Sequence, residues 1–412
     1  MSAEAYVKTA RLEPIPCGPL ECHLPEIFSF FQSEGYSSST LPRKIQLTRH
    51  FSRWLAIRSV DLGDLDERIM DSFVSNPPDF VRIRPGDSTT LYSLLSWLRD
   101  ADMIPQASPQ SDNRYSSNIE QEFALYLQNE RCLSEATVHR YLTIITSFLT
   151  ESSISNGAGL DSIKVSDITS FLKNHALIEN RKTLKGRVTA LRSFFRFLLY
   201  RGDITVDLAA SVPAVANWRL SEVPKHIVYE EVEQLLSSCD RSTAIGKRDY
   251  AVLSLLARLG LRAGEVLNMT LDDIDWEAGV VSIRGKGGRR DVLPIPYSVG
   301  EAIASYLRFV RPQCEARKVF IRFKAPFLGF SGHAAIGDIV RRAIARTGLN
   351  PPCKGAHLLR HSFATNMLRQ GASLTEIGEV LRHSSPTTTE IYAKVDLTSL
   401  GALAPSWPGG AE

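Results

Sequence analysis

The chain has 412 residues, a formal net charge of +3 at pH 7 and an apolar content of 43 %. That length predicts two or three domains, and the small net charge says little until its distribution is followed along the chain. No apolar run is long enough to span a membrane and the N-terminus lacks a basic-then-apolar signal pattern, so a soluble cytoplasmic protein is expected. Cys17, Cys22, Cys132, Cys239, Cys314 and Cys353 form no CxxC pair, which disfavours a zinc site and a disulfide framework; no metal is expected.

The first twenty residues, with Pro14, Pro16 and Pro19, read as irregular. A helical region follows from Leu24 to about Pro105. It carries Arg43, Lys44, Arg49, Arg53 and Arg58 with no acid between Arg43 and Ser59. A linker rich in Ser, Pro, Asn and Gln runs to about Asn118. The second helical region, Ile119 to Ala209, parallels the first. Phe31-Gln32-Ser33-Glu34 with Ser39, Thr40 and Arg43 matches Leu127-Gln128-Asn129-Glu130 with Ala136, Thr137 and Arg140. Phe51 and Leu55 match Phe148 and, loosely, Ser152. Leu62 to Phe73 matches Val165 to Leu172, and Leu91 to Leu98 matches Leu191 to Leu198. Two readings stay open: duplication of one small helical module, or two unrelated four-helix modules.

The end of the second module is the most one-sided in charge. Arg181, Lys182, Lys185, Arg187, Arg192, Arg196 and Arg201 occur with no Asp or Glu among them. Leu191, Phe194, Phe195, Leu198 and Leu199 supply a buried stripe. A basic face without acids over roughly six helical turns favours contact with phosphate over a merely solvated face.

After a linker from Pro213 to about Val228, helices are expected at Val228–Leu236 and Arg248–Leu259. Gly260 punctuates the chain before Arg262 opens a short helix through Val266 and Leu267. There an arginine beside free N-terminal amides suits an anion. Gly279 to Pro296 reads as a β-hairpin with Arg284-Gly285-Lys286-Gly287-Gly288-Arg289-Arg290 at its turn. The glycines resemble a nucleotide-phosphate loop, but no Lys-Ser/Thr opens a helix, so the Walker pattern fails.

The stretch from His357 to Tyr392 organises the rest. Leu359, Phe363, Met367 and Leu368 recur at helical spacing, and His357 and Arg360 share a face of that helix. Gly371 ends it. Ser373 and Glu376 form a capping-box pattern before Ile377, Val380 and Leu381. Ser385-Pro386 reads as the start of another helix, with His383 just before it and Tyr392 on it. Two histidines, an arginine and a tyrosine, without a metal cluster, suit attack by a phenol on an anionic phosphodiester.

Arg262, Lys286, His357-x-x-Arg360, His383 and Tyr392, in that order and spacing, resemble the tyrosine recombinase (phage integrase) family, including its Xer members. The likeness covers about Ser116 to Val395. It implies a mainly α fold with a small β-hairpin or sheet in the catalytic domain, preceded by a helical, SAM-like core-binding module. The expected domains are 1–112, an extra helical module; 113–212, the core-binding module; and 213–412, the catalytic domain with a C-terminal tail.

The resemblance implies that Arg262, Arg360 and His383 hold the scissile phosphate and that Lys286 protonates the departing 5′ oxygen. It implies that His357 assists proton transfer with the nucleophile, and that Tyr392 forms a 3′-phosphotyrosine link. No cofactor is needed, because the covalent intermediate retains the bond energy. Arginines remain charged at any working pH, and phenol, with a pKa of ~10, needs help to ionise. The implied partners are double-stranded DNA and a homo-tetramer on paired sites, with or without related recombinases, in the cytoplasm near the nucleoid. The implied event belongs to a mobile element. Expected DNA contacts are Arg181, Lys182, Lys185, Arg187, Arg192, Arg196, Arg43, Lys44, Arg289 and Arg290. An accessory DNA-binding protein and a type IB topoisomerase-like relaxing enzyme are the alternatives.

Other readings stand beside these. Tyr392 also suits an interfacial aromatic position, His361 a cap or core position, and Glu265 a partner for a nearby arginine. The family usually has Gly before the second histidine, where this chain has Arg382. That extra cation is expected either to contact DNA or to move His383. The module before Pro105 lies outside the family's two-domain plan; accessory DNA binding, a longer clamp and protein contacts are its candidate roles. Leu397 to Leu403 is expected to form a short apolar tail that packs on a neighbouring subunit.

Overall fold

Helical periodicity becomes helix along most of the chain in the computed structural model, which describes residues 18–106, 118–152, 159–216, 223–285, 290–383 and 385–395. The chain divides into two units. One is residues 106–221; the other joins the chain before residue 106 to the chain after residue 221.

In the N-terminal module, α1 (Leu24–Ser33) and α2 (Leu41–Ile57) each carry a proline in the first turn, where no amide hydrogen is needed. A 3₁₀ turn at Leu62–Asp64 leads to α3 (Glu67–Ser75), which starts where the Asp66 carboxylate accepts the Ile69 N–H at 3.0 Å. The last helix is α4 (Asp87–Asp100). Phe31, Phe51, Phe73 and Leu98 are buried together, with the Phe51 and Phe73 rings 5.1 Å apart. Beyond α1 the chain turns at Gly35, whose φ is +86°. The Phe327 N–H donates to the Glu34 carbonyl at 3.2 Å, and the Phe327 ring occupies the space a Gly35 side chain would need. The N-terminal module is thus in contact with the chain after residue 221.

The other unit repeats this order. It runs α5 (Asn118–Leu125) with a π turn at Tyr126–Glu130, α6 (Glu135–Glu151), a 3₁₀ turn at Leu160–Ser162, α7 (Val165–Ala176), α8 (Arg181–Arg201) and the short α9 (Leu208–Ser211). Both second helices have 17 residues. Phe148 and Phe171 pack 5.3 Å apart as Phe51 and Phe73 do, so Phe73 matches Phe171, one residue away from the match to Leu172 expected from sequence. The Asn180 side chain accepts the Thr183 N–H to start α8, and Gly202 ends it with φ +84°.

The third region is built around α11 (Ala244–Arg258), whose Ala251, Val252, Leu253, Leu255 and Leu256 are all fully buried. It packs against α13 (Tyr297–Phe309), α14 (His333–Thr347) and α15 (Ala356–Arg369), with α10 (Tyr229–Ser237) and α12 (Ala263–Asn268) beside it. The expected hairpin is present as β2 (Val280–Arg284) paired antiparallel with β3 (Arg290–Pro294), Val281 opposite Leu293. A two-residue strand, β1 (Ile274–Asp275), adds to β2; it is too short to show periodicity in sequence. Residues 286–289, with Lys286 and Arg289, lie outside the described residues, as does the expected apolar tail.

The Ser373–Glu376 box is present: the Glu376 carboxylate accepts the Ser373 N–H at 2.7 Å, and Ser373 Oγ accepts the Glu376 N–H at 3.2 Å, opening α16 (Leu374–Val380). The segment after it is two 3₁₀ turns, Pro386–Thr388 and Glu390–Val395, rather than one amphipathic α-helix. Its apolar residues join Ala364, Ile377 and Leu381 in a separate small core that includes Tyr392. Among the described residues, no helix is long and apolar enough to cross a membrane.

Candidate active site

Arg360 ties three segments together. It projects from α15 and is 4 % exposed. One terminal nitrogen donates to the Gly260 carbonyl after α11, and the other to the Leu381 carbonyl after α16 at 2.6 Å. A side chain on Gly260 would press on Phe363 and Leu381, and φ there is +57°, so glycine permits the close approach. Burial, reinforced by the Arg262 charge, brings the Arg360 pKa down to about 10, still charged at neutral pH.

Arg262 stands at the start of α12 and is partly exposed. Its backbone N–H donates to Glu265 Oε2 at 2.8 Å and its guanidinium to Glu265 Oε1 at 2.7 Å. Glu265 thus engages both the Arg262 amide and one end of its guanidinium, and the partly exposed guanidinium keeps further N–H groups with which to reach an anion. Burial alone would raise the Glu265 carboxyl. The Arg262 N–H, the Arg382 charge and the Arg262 guanidinium outweigh it and hold the carboxyl below the usual range.

His383 is half-buried, with Nδ1 2.7 Å from Thr389 Oγ1. Burial and the charges of Arg360, Arg262 and Arg382 push its pKa down to about 4, so it is neutral at pH 7. The Tyr392 ring is 1 % exposed, and its hydroxyl lies 2.9 Å from Nδ1 of His361. Burial drives the phenol up to about 12, against the lowering pull of Arg360 and Arg262. Burial, with His357 and Arg360 nearby, brings His361 down to about 4. In the tautomer with its proton on Nε2, the neutral His361 imidazole accepts the phenolic proton at Nδ1.

The structure thus brings Arg262, Arg360, His383 and Tyr392 within one electrostatic neighbourhood. His357 lies on the exposed side of α15, its ring 6.2 Å from that of His361. The residue against the nucleophile candidate is His361, for which sequence reasoning favoured a cap or core position. The available signal was its place four residues after His357, on the same helical face.

The expected DNA contacts divide. On α8, Arg181, Lys182, Lys185 and Arg196 are exposed, and Arg181, Lys185 and Arg196 fall within roughly 60° of one another around the helix. Arg187 is instead held by Glu179, its Nε donating at 2.8 Å, and Arg192 donates to the Val212 carbonyl at 2.8 Å. Arg43 is paired with Asp87 at 2.6 Å. Lys44 donates to Thr90 at 2.6 Å and lies over the Tyr36 ring at 3.8 Å. Arg187, Arg192, Arg43 and Lys44 are therefore not the freely presented cations expected from the acid-free runs; their partners lie outside those runs. Arg290 is exposed on β3.

Two family descriptions match: the phage integrase family over residues 225–398, and the phage integrase N-terminal SAM-like domain over residues 121–202. The protein y4rA of Sinorhizobium fredii, an integrase/recombinase by name, is 42 % identical over 96 % of this chain and 97 % of its own length. The tyrosine recombinase XerD of Listeria monocytogenes is 30 % identical over 68 % of this chain and 94 % of its own. Among solved structures, the XerH site-specific recombinase bound to a palindromic difH substrate has the same fold. Its TM-score is 0.55, its identity 20 %, and the match covers 82 % of this chain and 93 % of that one.

Proposed function

Because this chain belongs to the phage integrase family of tyrosine recombinases, enzymes that cut and rejoin DNA at specific sites, we propose that Tyr392 is its nucleophile, with His361 as the first acceptor of its proton. The observation that supports this most directly is the 2.9 Å approach of the phenol to His361 Nδ1 beside Arg262 and Arg360. The Tyr392 oxygen bonds to phosphorus as the bond to the 5′ oxygen breaks. The phenolic proton passes to His361, with His357 assisting from the next turn, and Lys286 supplies the proton that the 5′ oxygen takes. Arg262, Arg360 and His383 hold the non-bridging oxygens, where preorganised donors stabilise charge in the transition state. The reverse step, attack by a 5′ hydroxyl on the phosphotyrosine, rejoins strands without an added energy source.

The Tyr392 ring is packed in an apolar cluster, and burial keeps its phenol protonated at neutral pH. Exchange between two duplexes cuts four strands, and one tyrosine per chain calls for four chains. The exposed stripe of α8 supports a DNA backbone contact. The integrase/recombinase name of the 42 % identical relative supports a role for this activity in a mobile element.

The test is covalent trapping. Nicked duplexes from the DNA flanking the protein's own gene are incubated with the full chain, then run on a denaturing gel. A shifted adduct is expected, absent in Tyr392→Phe and formed about 10²-fold or more slowly in His361→Ala. Binding without any adduct would instead indicate an accessory DNA-binding protein. Adduct formation on unrelated DNA, with plasmid relaxation, would indicate a topoisomerase.

A further inference from the structure

Arg382 occupies a position that an arginine fills only under strain. Its φ is +55°, in the left-handed region. It ends α16 with the Arg382 N–H donating to the Glu379 carbonyl and the His383 N–H to the Gly378 carbonyl, both at 2.9 Å. This paired pattern usually places glycine at the left-handed residue. The side chain is also buried, 5 % exposed, which disfavours a charge unless it is paired. It donates to the Val380 carbonyl at 3.0 Å and to Glu265 Oε2 at 2.8 Å, while its Nε meets no hydrogen-bond partner. Backbone strain and a buried guanidinium at one residue, adjoining the site, point to function rather than stability.

The partner explains what that function is. Glu265 is the carboxylate that braces Arg262, and it is shared by both arginines. With glycine at 382, Glu265 would face Arg262 with no second arginine competing for it. With Arg382 present, the carboxylate is divided. Arg382 also adjoins His383 in the same turn, so one side chain joins the α12 end of the site to the α16 end.

We propose that Arg382 is a positioning residue that cross-braces the phosphate site, fixing Arg262 through Glu265 and His383 through their shared turn, and leaving Arg262 with charge to offer a phosphate. This rests on the reading of Arg262 and His383 given above. The Arg382 side chain is turned inward to Glu265 rather than toward DNA.

The experiment compares Arg382→Gly, Arg382→Lys, Glu265→Gln and the Arg382→Gly/Glu265→Gln double variant in the full chain. Three quantities are read: the melting midpoint without DNA, duplex affinity on a Tyr392→Phe background, and the single-turnover rate of adduct formation at saturating protein. Arg382→Gly is expected to keep its melting midpoint, since glycine relieves the strain, and to bind within about twofold of wild type. Its adduct rate is expected to fall on the order of 10-fold, less than the ~10²–10³ typical of losing a direct oxyanion donor. Lysine should recover part of that rate, and the double variant should be no slower than the slower single one, because the two residues act as a unit. A wild-type adduct rate in Arg382→Gly overturns the proposal. So does a parallel loss of affinity with a weaker salt dependence, which would make Arg382 a DNA contact. If Arg382→Gly does not fold, a wild-type rate in Glu265→Gln overturns it equally. Failure of wild type itself to form an adduct, despite binding, sinks the assignment of Tyr392 and this inference with it.

Discussion

The two helical modules bury the same positions and expose different ones. Leu91, Leu94, Leu95 and Leu98 of α4 are as buried as Leu191, Phe194, Phe195 and Leu198 of α8. On the outside, α8 has the exposed Arg196 where α4 has Ser96, and at the preceding matched position Arg192 is held by the Val212 carbonyl while the Tyr92 hydroxyl donates to Asp71 at 2.7 Å. In the acid-free run of the N-terminal module the cations have partners within the module: Arg43 pairs with Asp87, Arg53 lies over the Phe80 ring, and the exposed Arg58 lies over the Trp54 ring. A fold is set by what its helices bury, whereas the use made of it is set by which charges remain unpaired. Acid-free runs in sequence look alike in both modules, and the structure separates them.

The largest effect should break neither half of that comparison. Phe51→Ala and Phe148→Ala each remove a fully buried ring from matching places, next to Phe73 and Phe171. Each is expected to destabilise its own module by about 3–5 kcal/mol. Urea unfolding followed by circular dichroism, with hydrogen exchange to locate the opened module, checks it. A large loss at one site and a negligible loss at the other would show that the shared order of helices does not reflect shared packing.

A smaller effect should separate the modules. Replacing Arg181, Lys185 and Arg196 together by Ala should weaken duplex binding on the order of 10²-fold at fixed low salt. It should also flatten the dependence of log affinity on log salt by about 2–3, as three lost phosphate contacts require. Arg43→Ala with Lys44→Ala should change affinity by less than about threefold, because both side chains already have partners inside the module. Equal losses from the two sets would mean that DNA competes successfully with Asp87 and Thr90.

What was legible in the sequence follows the same division. The hairpin, the Ser373–Glu376 box and the helix bearing Arg360 depend on spacing within a few turns and could be read directly, whereas the full set from Arg262 to Tyr392 was legible through its resemblance to a family. The contacts that reassigned residues are long-range. Arg43 meets Asp87 across 44 positions and Arg382 meets Glu265 across 117, so composition near either arginine carries no trace of its partner. His361 was passed over because the motif position was already filled by His357, although the geometry puts its ring on the phenol. The change from an amphipathic helix to 3₁₀ turns around Tyr392 has a similar origin: the segment is shaped by the small core it joins, which includes Ile377 and Leu381 from α16.

The smallest effect probes the inward turn of charge itself. Burial, with Arg43 adding to it and Asp87 opposing, brings Lys44 from its ordinary 10.5 down to about 8. Between pH 8 and 10.5 the unfolded chain therefore holds a proton that the folded module has released, and stability rises with pH across that window. Below pH 8 both states are charged and the full penalty of burying the ammonium applies. Lys44→Met removes the charge while keeping an unbranched chain over Tyr36 and Phe31. It should raise the urea midpoint modestly at pH 7, with a gain that shrinks toward zero at pH 10, since the side chain is only half-buried and solvent screens part of the effect. A gain as large at pH 10 as at pH 7 would trace it to added apolar contact. In that case the ammonium is tolerated by Thr90 and the aromatic faces at no cost, and the N-terminal module could keep its basic residues inside without any loss of stability.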